Sequence, residues 1–168
     1  MGFFDKIFEK GKAAPACEPL TVYAPAEGKV IPLEQFPDEI FSQKVLGPGC
    51  GILPTGKLVT APFNGTVIQA SDTLHAIGIS NDDGIELLIH IGVDTVEMEG
   101  KGFQYHVKHG QKVRLGDPLI TFDRAVIRAA GHSDAIAVVV TNSDEFSAVE
   151  LVADGDAAAG SQILKLKK

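Results

Sequence analysis

The run Ile85-Glu86-Leu87-Leu88-Ile89-His90-Ile91-Gly92 constrains this chain more than any other stretch. Its alternate residues Ile85, Leu87, Ile89 and Ile91 are branched and apolar, the period of a β-strand with one face in a core. His90 falls on the opposite parity with Glu86, Leu88 and Gly92, so its imidazole stands on the other face. Upstream lies a second apolar run, Leu74 to Ile79, which carries His75. Ser80-Asn81-Asp82-Asp83-Gly84 between them is rich in turn formers, so the two runs read as a hairpin. With the turn centred between Asp82 and Asp83, Ile79 faces Glu86, Ile77 faces Leu88 and His75 faces His90. Directly opposed residues have Cβ atoms about 4.5–5.5 Å apart. A register shifted by one would put the histidines on opposite faces. The expected pairing leaves Gly92 as free space beside His90 and places Thr73 next along the same face. Two adjacent imidazoles can bind a metal, act as base and nucleophile, or share a phosphoryl group that one carries and the other hydrogen-bonds.

The chain has 168 residues, enough for one domain with a sizeable core. A net charge of -7 opposes general binding to a nucleic-acid backbone and suits a basic protein partner. Its 18 glycines and 9 prolines favour a turn-rich β fold. Cys17 and Cys50 form no disulfide framework or paired-cysteine metal motif, so reduced thiols in the cytoplasm are expected. There is no signal-peptide pattern and no apolar run of membrane-spanning length.

Residues 1–12 place Phe4, Ile7 and Phe8 at helical spacing, with Asp5, Lys6, Glu9 and Lys10 on the other side. Such a segment can lie on a membrane surface, and residues 1–19 are expected to form a flexible tail. The folded domain is then 20–168. Within it Ala24-Pro25-Ala26-Glu27-Gly28-Lys29-Val30-Ile31 resembles Ala61-Pro62-Phe63-Asn64-Gly65-Thr66-Val67-Ile68. Two copies imply two similar strand-turn-strand units packed together. Phe41 and Val45, four apart, are expected to share one face of a short helix. Ala125 to Ala130 reads as a helical turn or two, stopped at Gly131. The remaining segments are short strands and glycine turns, so the expected class is all-β, an antiparallel sandwich or barrel with internal duplication.

Leu87-Leu88-Ile89-His90-Ile91-Gly92-Val93-Asp94-Thr95-Val96 resembles the signature of the glucose-type enzyme IIA of the bacterial phosphotransferase system. The resemblance takes in Pro54-Thr55-Gly56, Thr73 with His75, Gly100-Lys101-Gly102-Phe103, Gly110-Gln111-Lys112-Val113 and Val140-Thr141-Asn142 with Asp144. It implies a duplicated β-sandwich, with His90 as phosphoryl acceptor, His75 as its hydrogen-bonding neighbour and Thr73 orienting His75. It implies the histidine phosphocarrier HPr as donor and a cysteine of a IIB domain of a sugar permease as recipient. Asp38 and Asp94 match acidic positions near the family's active site, to pair with basic residues while Ile40, Phe41, Val45, Leu88 and Val96 dock. Ser71 and Leu88 stand where some relatives carry phenylalanine, which implies a flatter or less apolar docking face. With no IIB motif following, the expectation is a free-standing module acting with its permease in trans. Some relatives also regulate other proteins in the unphosphorylated form, and the sugar is not readable.

Rival readings are a zinc-dependent hydrolase, a lipoyl-like carrier and a non-catalytic regulatory module. The first draws on His90-x-x-x-Asp94 but has only His106-x-x-His109 downstream. The second lacks a lysine at the hairpin tip, which is Asp82-Asp83. No cofactor is required for phosphocarrier chemistry, although His75 and His90 together can attract zinc.

Overall fold

Short alternating apolar runs separated by glycine turns give short antiparallel strands, and the computed structural model, which describes residues 17–168, is built from them. The strands are β1 (Thr21–Tyr23), β2 (Gly28–Pro32), β3 (Gly49–Pro54), β4 (Leu58–Thr60), β5 (Gly65–Ala70), β6 (Ala76–Ser80) and β7 (Glu86–Ile91). They continue with β8 (Phe103–Tyr105), β9 (Lys112–Val113), β10 (Pro118–Phe122), β11 (Ile136–Val140), β12 (Ala148–Leu151), β13 (Gly155–Ala157) and β14 (Gln162–Lys167). Two short helices, α1 (Glu39–Ser42) and α2 (Arg124–Ala129), complete the set with a few 3-10 turns. Among the described residues no helix is long and apolar enough to cross a membrane.

An eight-stranded sheet runs β13-β2-β3-β11-β7-β6-β5-β9, flanked by two three-stranded sheets, β1-β14-β12 and β4-β10-β8. The architecture is an antiparallel β-sandwich. Its duplication is visible in the backbone. The Tyr23 N–H donates to Pro62 O at 2.9 Å and the Thr60 N–H to Pro25 O at 2.7 Å, so the two Ala-Pro turns exchange equivalent bonds. Ala24 and Ala61, both fully buried, are then closed in the same manner by two later loops. Ala24 exchanges bonds with Gly160 and Ser161, and Ala61 with Gly116 and Asp117. The edges repeat the relation: Gly28 and Lys29 pair with Ala157 and Asp156, while Gly65 and Thr66 pair with Val113 and Lys112.

The main core lies on one face of the large sheet, where Ile52, Ile77, Ile79, Leu87, Ile89, Ile91, Ile136 and Val138 meet Phe63, Leu119 and Phe122. Strand β11 is buried on both faces, as its unbroken apolar run requires. Its Ala137 and Val139 support a second, smaller core of Leu33, Phe36 and Phe41 on the opposite face. Gly51 of β3, opposite Ala137, makes that packing fit, because a Cβ there would lie 2.9 Å from Phe36 Cδ1. The row Gly51, Ala137, His90 and Ala76 crosses four strands with small residues around one imidazole.

Three expectations need correction. The β6–β7 register pairs Ala76, not His75, with His90, so the hairpin is shifted by one from the predicted pairing. The turn takes an odd residue because Asn81 Oδ1 accepts from both Asp83 N and Ile85 N and Gly84 adopts φ +86. Residues 17–19 are not free linker. The Glu18 N–H donates to the Tyr23 hydroxyl at 3.0 Å, and its carboxylate meets Gln162 at 2.9 Å and Lys165 at 3.2 Å. Phe41 and Val45 do not share a helical face, because α1 ends at Ser42 and Lys44 turns left-handed at φ 61. Phe41 faces inward at 4 % exposure and Val45 outward at 66 %. The helix after Asp123 and its stop near Gly131 agree with the sequence pattern. The amphipathic segment 1–12 lies outside the described residues.

Candidate active site

His90 is held on β7 with its ring on the face away from the main core, as the alternation predicts. Small neighbours on both sides, Ala137 and Ala76, let two rings close on it. The Phe41 ring centroid lies 5.0 Å away and the His75 centroid 4.8 Å away, nearly perpendicular at 83°. Phe41 leans in turn on Phe36 at 5.3 Å. Thus the imidazoles predicted to be neighbours are neighbours, despite the shifted register. Leu74 supplies the reason. Strand β6 begins at Ala76, with one further bond from the Ile91 N–H to His75 O at 2.8 Å, and Leu74 adopts the left-handed region at φ 64, a conformation disfavoured for leucine by about 1–2 kcal/mol. The Ser71–Leu74 turn, closed by the Leu74 N–H to Ser71 O at 3.0 Å, swings His75 back to the His90 side.

Each imidazole has one nitrogen tied down. His90 Nδ1 lies 3.0 Å from Gly92 O, and a carbonyl only accepts, so Nδ1 carries the proton and Nε2 keeps a lone pair. Gly92 sits at φ +82 and a Cβ there would lie 2.3 Å from Thr95 Cγ2, so its missing side chain makes room for Thr95 rather than for the histidines. Its N–H donates to Ala135 O at 2.7 Å, and the Val93 N–H to Ser133 O at 3.1 Å. That loop is fastened to α2 through Asp134, which meets Arg124 at 3.0 Å and Arg128 at 2.9 Å. On the other side, Thr73 Oγ1 lies 2.7 Å from His75 Nδ1, as the predicted orienting role requires.

Burial, and then the neighbouring His75, push the His90 pKa down to about 4, against the opposing pull of the Gly92 carbonyl, Asp38 and Asp94. Burial likewise lowers the His75 pKa, against the Thr73 backbone. Both imidazoles are therefore neutral at neutral pH, the state in which a ring nitrogen can attack phosphorus. Asp38 and Asp94 lie close enough to be felt by His90. Asp38 also caps α1, accepting from Ile40 N at 3.0 Å.

Of the residues expected to dock, Ile40 (52 %), Val45 (66 %) and Val96 (52 %) are exposed, and Leu88 is half-buried beside His90 on its strand face. Phe41 is buried and packs its ring against His90. Sequence reasoning missed two anchors of the His75 loop. The Ser71 hydroxyl lies 2.8 Å from Thr73 Oγ1, and the Tyr105 hydroxyl accepts from Ser71 N at 2.8 Å and donates to Ala76 O. No local pattern marks Tyr105, which reaches the loop from another sheet.

A catalytic zinc normally takes three protein ligands. Among the described residues no three His, Cys, Asp or Glu side chains converge, and His75 and His90 alone do not make such a site. His106, of the His106-x-x-His109 pair, follows β8 in a different sheet and bonds Thr121 through Nε2 at 2.5 Å. Cys17 and Cys50 are free thiols, and burial pushes the Cys50 thiol up to about 12.

Residues 20–146 match the family described as phosphoenolpyruvate-dependent sugar phosphotransferase system, EIIA 1. The PTS system glucose-specific EIIA component of Halalkalibacterium halodurans is 42 % identical over 166 residues, covering 96 % of this chain and 95 % of that one. The PTS system glucose-specific EIICBA component of Streptococcus pneumoniae is 44 % identical over 146 residues, covering 87 % of this chain and 20 % of the relative, so the chain spans about a fifth of that protein. The solved structure of glucose permease IIA from Mycoplasma capricolum superposes with a TM-score of 0.80 at 34 % identity, covering 88 % of this chain and 96 % of that one. This chain belongs to the glucose-type EIIA family of the phosphoenolpyruvate-dependent sugar phosphotransferase system.

Proposed function

We propose that the chain is a cytoplasmic histidine phosphocarrier in which His90 Nε2 takes a phosphoryl group from phospho-HPr and passes it to the cysteine of a IIB domain. The observation that carries this reading is the Nδ1 contact to Gly92 O, which leaves Nε2 as the lone-pair nitrogen of a buried, neutral imidazole. In the transfer the Nε2–P bond forms as the donor's N–P bond breaks, and the donor imidazole leaves with its electron pair. Positive charge that develops on the His90 ring is met at Nδ1 by the Gly92 carbonyl and at longer range by Asp38 and Asp94. His75, at the edge of the His90 ring, gives a hydrogen bond to a phosphoryl oxygen. Onward transfer reverses the geometry, with a thiolate sulfur attacking phosphorus in line as the P–N bond breaks.

The exposed apolar residues Ile40, Val45, Leu46 and Val96 offer a dry rim that excludes water from the labile P–N bond, and Asp38 and Asp94 favour a basic partner. The name of the Streptococcus relative, an EIICBA component, supports IIB and the permease as the recipients. No cofactor enters these steps, and zinc held at His75 and His90 needs a further ligand from a partner.

Incubation with labelled phosphoenolpyruvate, enzyme I and HPr tests the reading. The expected product is an acid-labile, alkali-stable phosphohistidine that His90→Gln does not form. His75→Gln should take up label and pass it poorly to IIB. A wild-type protein that stays unlabelled with a competent HPr would overturn the proposal.

A further inference from the structure

Thr73 is not the last hydroxyl behind His75. Ser71 Oγ lies 2.8 Å from Thr73 Oγ1 and 3.4 Å from His75 Nδ1. The same oxygen accepts the Thr73 N–H at 3.2 Å. Ser71 is itself fixed, since its N–H donates to the Tyr105 hydroxyl at 2.8 Å and that hydroxyl donates to Ala76 O, next to His75.

If His75 is to serve a phosphoryl oxygen its Nδ1 must accept, and the shorter of its two hydroxyl contacts, 2.7 Å against 3.4 Å, makes Thr73 the donor. A hydroxyl has one proton to give and two lone pairs. One lone pair of Ser71 Oγ is occupied by the Thr73 N–H, and its proton points to Thr73 Oγ1. Thr73 then directs its own proton to His75 Nδ1 at 2.7 Å. A neutral imidazole that accepts at Nδ1 carries its proton on Nε2. Without the Ser71 proton Thr73 Oγ1 has both lone pairs open rather than one and is a better acceptor, so the His75 proton can move to Nδ1, which leaves Nε2 unable to donate.

We propose that Ser71 is a positioning residue for phosphoryl transfer, holding His75 in its Nε2–H tautomer through Thr73. Both the part His75 plays in transfer and the choice of its tautomer rest on the phosphocarrier reading above, whereas the spectra read the tautomer independently of it.

The test pairs a spectroscopic readout with a kinetic one. Proton–nitrogen correlation spectra of protein labelled with 15N-histidine, at about pH 8 where imidazoles are neutral, distinguish protonated from bare ring nitrogens. Wild type should show His75 protonated at Nε2. Ser71→Ala should add the Nδ1–H form, and phosphoryl transfer from the loaded protein to IIB should slow by about fivefold, the effect of one neutral hydrogen bond. Ser71→Thr, which keeps the hydroxyl, should restore both. A wild-type His75 protonated at Nδ1 overturns the proposal without any variant. So does a Ser71→Ala spectrum identical to wild type, or a Ser71→Thr protein that behaves like Ser71→Ala. Should wild type accept no phosphoryl group at all, the phosphocarrier reading falls while the spectra still decide what Ser71 does.

Discussion

Replacing Phe41 with alanine tests how the fold keeps His90 neutral. The Phe41 ring is packed between Phe36 and His90, with centroids 5.3 Å and 5.0 Å away. Its removal should lower stability by about 3–5 kcal/mol, the usual range for a buried phenylalanine. It also opens one wall over the imidazole. Burial is the first cause of the His90 pKa of about 4, so water entering there should let it climb toward the ordinary 6.5. The sign of the linked stability change follows from proton binding. Between about pH 6.5 and about pH 4 the unfolded chain protonates this histidine and the native chain does not. The His90 contribution is therefore fully present above about pH 6.5 and is lost as the pH falls toward 4, by about 3 kcal/mol in total. In Phe41→Ala that part of the pH slope should shrink. Urea unfolding of both proteins at about pH 7.5 and about pH 5, with NMR titration of the His90 ring protons, measures each quantity. The carboxylates that titrate in the same range are common to both proteins and largely cancel in the comparison. A folded Phe41→Ala protein whose His90 still titrates near 4 would show that Phe41 is not the barrier to water, and the reasoning would fail.

Gly51→Ala places a Cβ 2.9 Å from Phe36 Cδ1 and 3.0 Å from Ile31 Cγ1, so the small core must shift; a loss of about 1–3 kcal/mol in denaturant unfolding is expected, and an unchanged midpoint would contradict the packing. Tyr105→Phe removes the hydroxyl that serves Ser71 N and Ala76 O. It should cost about 1–3 kcal/mol and speed amide exchange at Ser71, with no change at Leu87 or Ile89. Asp123→Ala removes the cap that accepts from Ala125 N at 3.0 Å and Val126 N at 3.2 Å, for a loss of about 1 kcal/mol by thermal or urea unfolding.

Strand β7 could be read from sequence because one of its faces is buried and the other is not, so its period is undamped. Strand β11 is buried on both faces and has no period, and only its length and β-branched content mark it. The hairpin register was off by one because turn formers say that a turn occurs but not which side-chain oxygen collects its amides, and Asn81 decides that. His75 reached the right place by a route the pattern does not contain, the left-handed Leu74. Phe41 looked like docking surface because α1 is too short for helical spacing to hold, and its burial depends on Ala137 and Gly51, distant in sequence. Ser71 stands two and four residues from Thr73 and His75, a local spacing, whereas Tyr105 reaches the loop from a segment far away in the chain and no local spacing reports it.

The exchanged bonds between the two Ala-Pro turns bear on the order in which the chain can assemble. Among the described residues strand β1 pairs only with β14, with Thr21 opposite Lys165. Ala24 is closed by Gly160 and Ser161, and the first turn bonds into the second. During synthesis the opening strand of the domain therefore waits for its partner until β14 has emerged. The closing step joins residues at maximal sequence separation, which makes it entropically late and slow. Loss of the last few residues would thus undo the first element of the fold as well as the last, while the histidine hairpin, local in sequence, could already be formed.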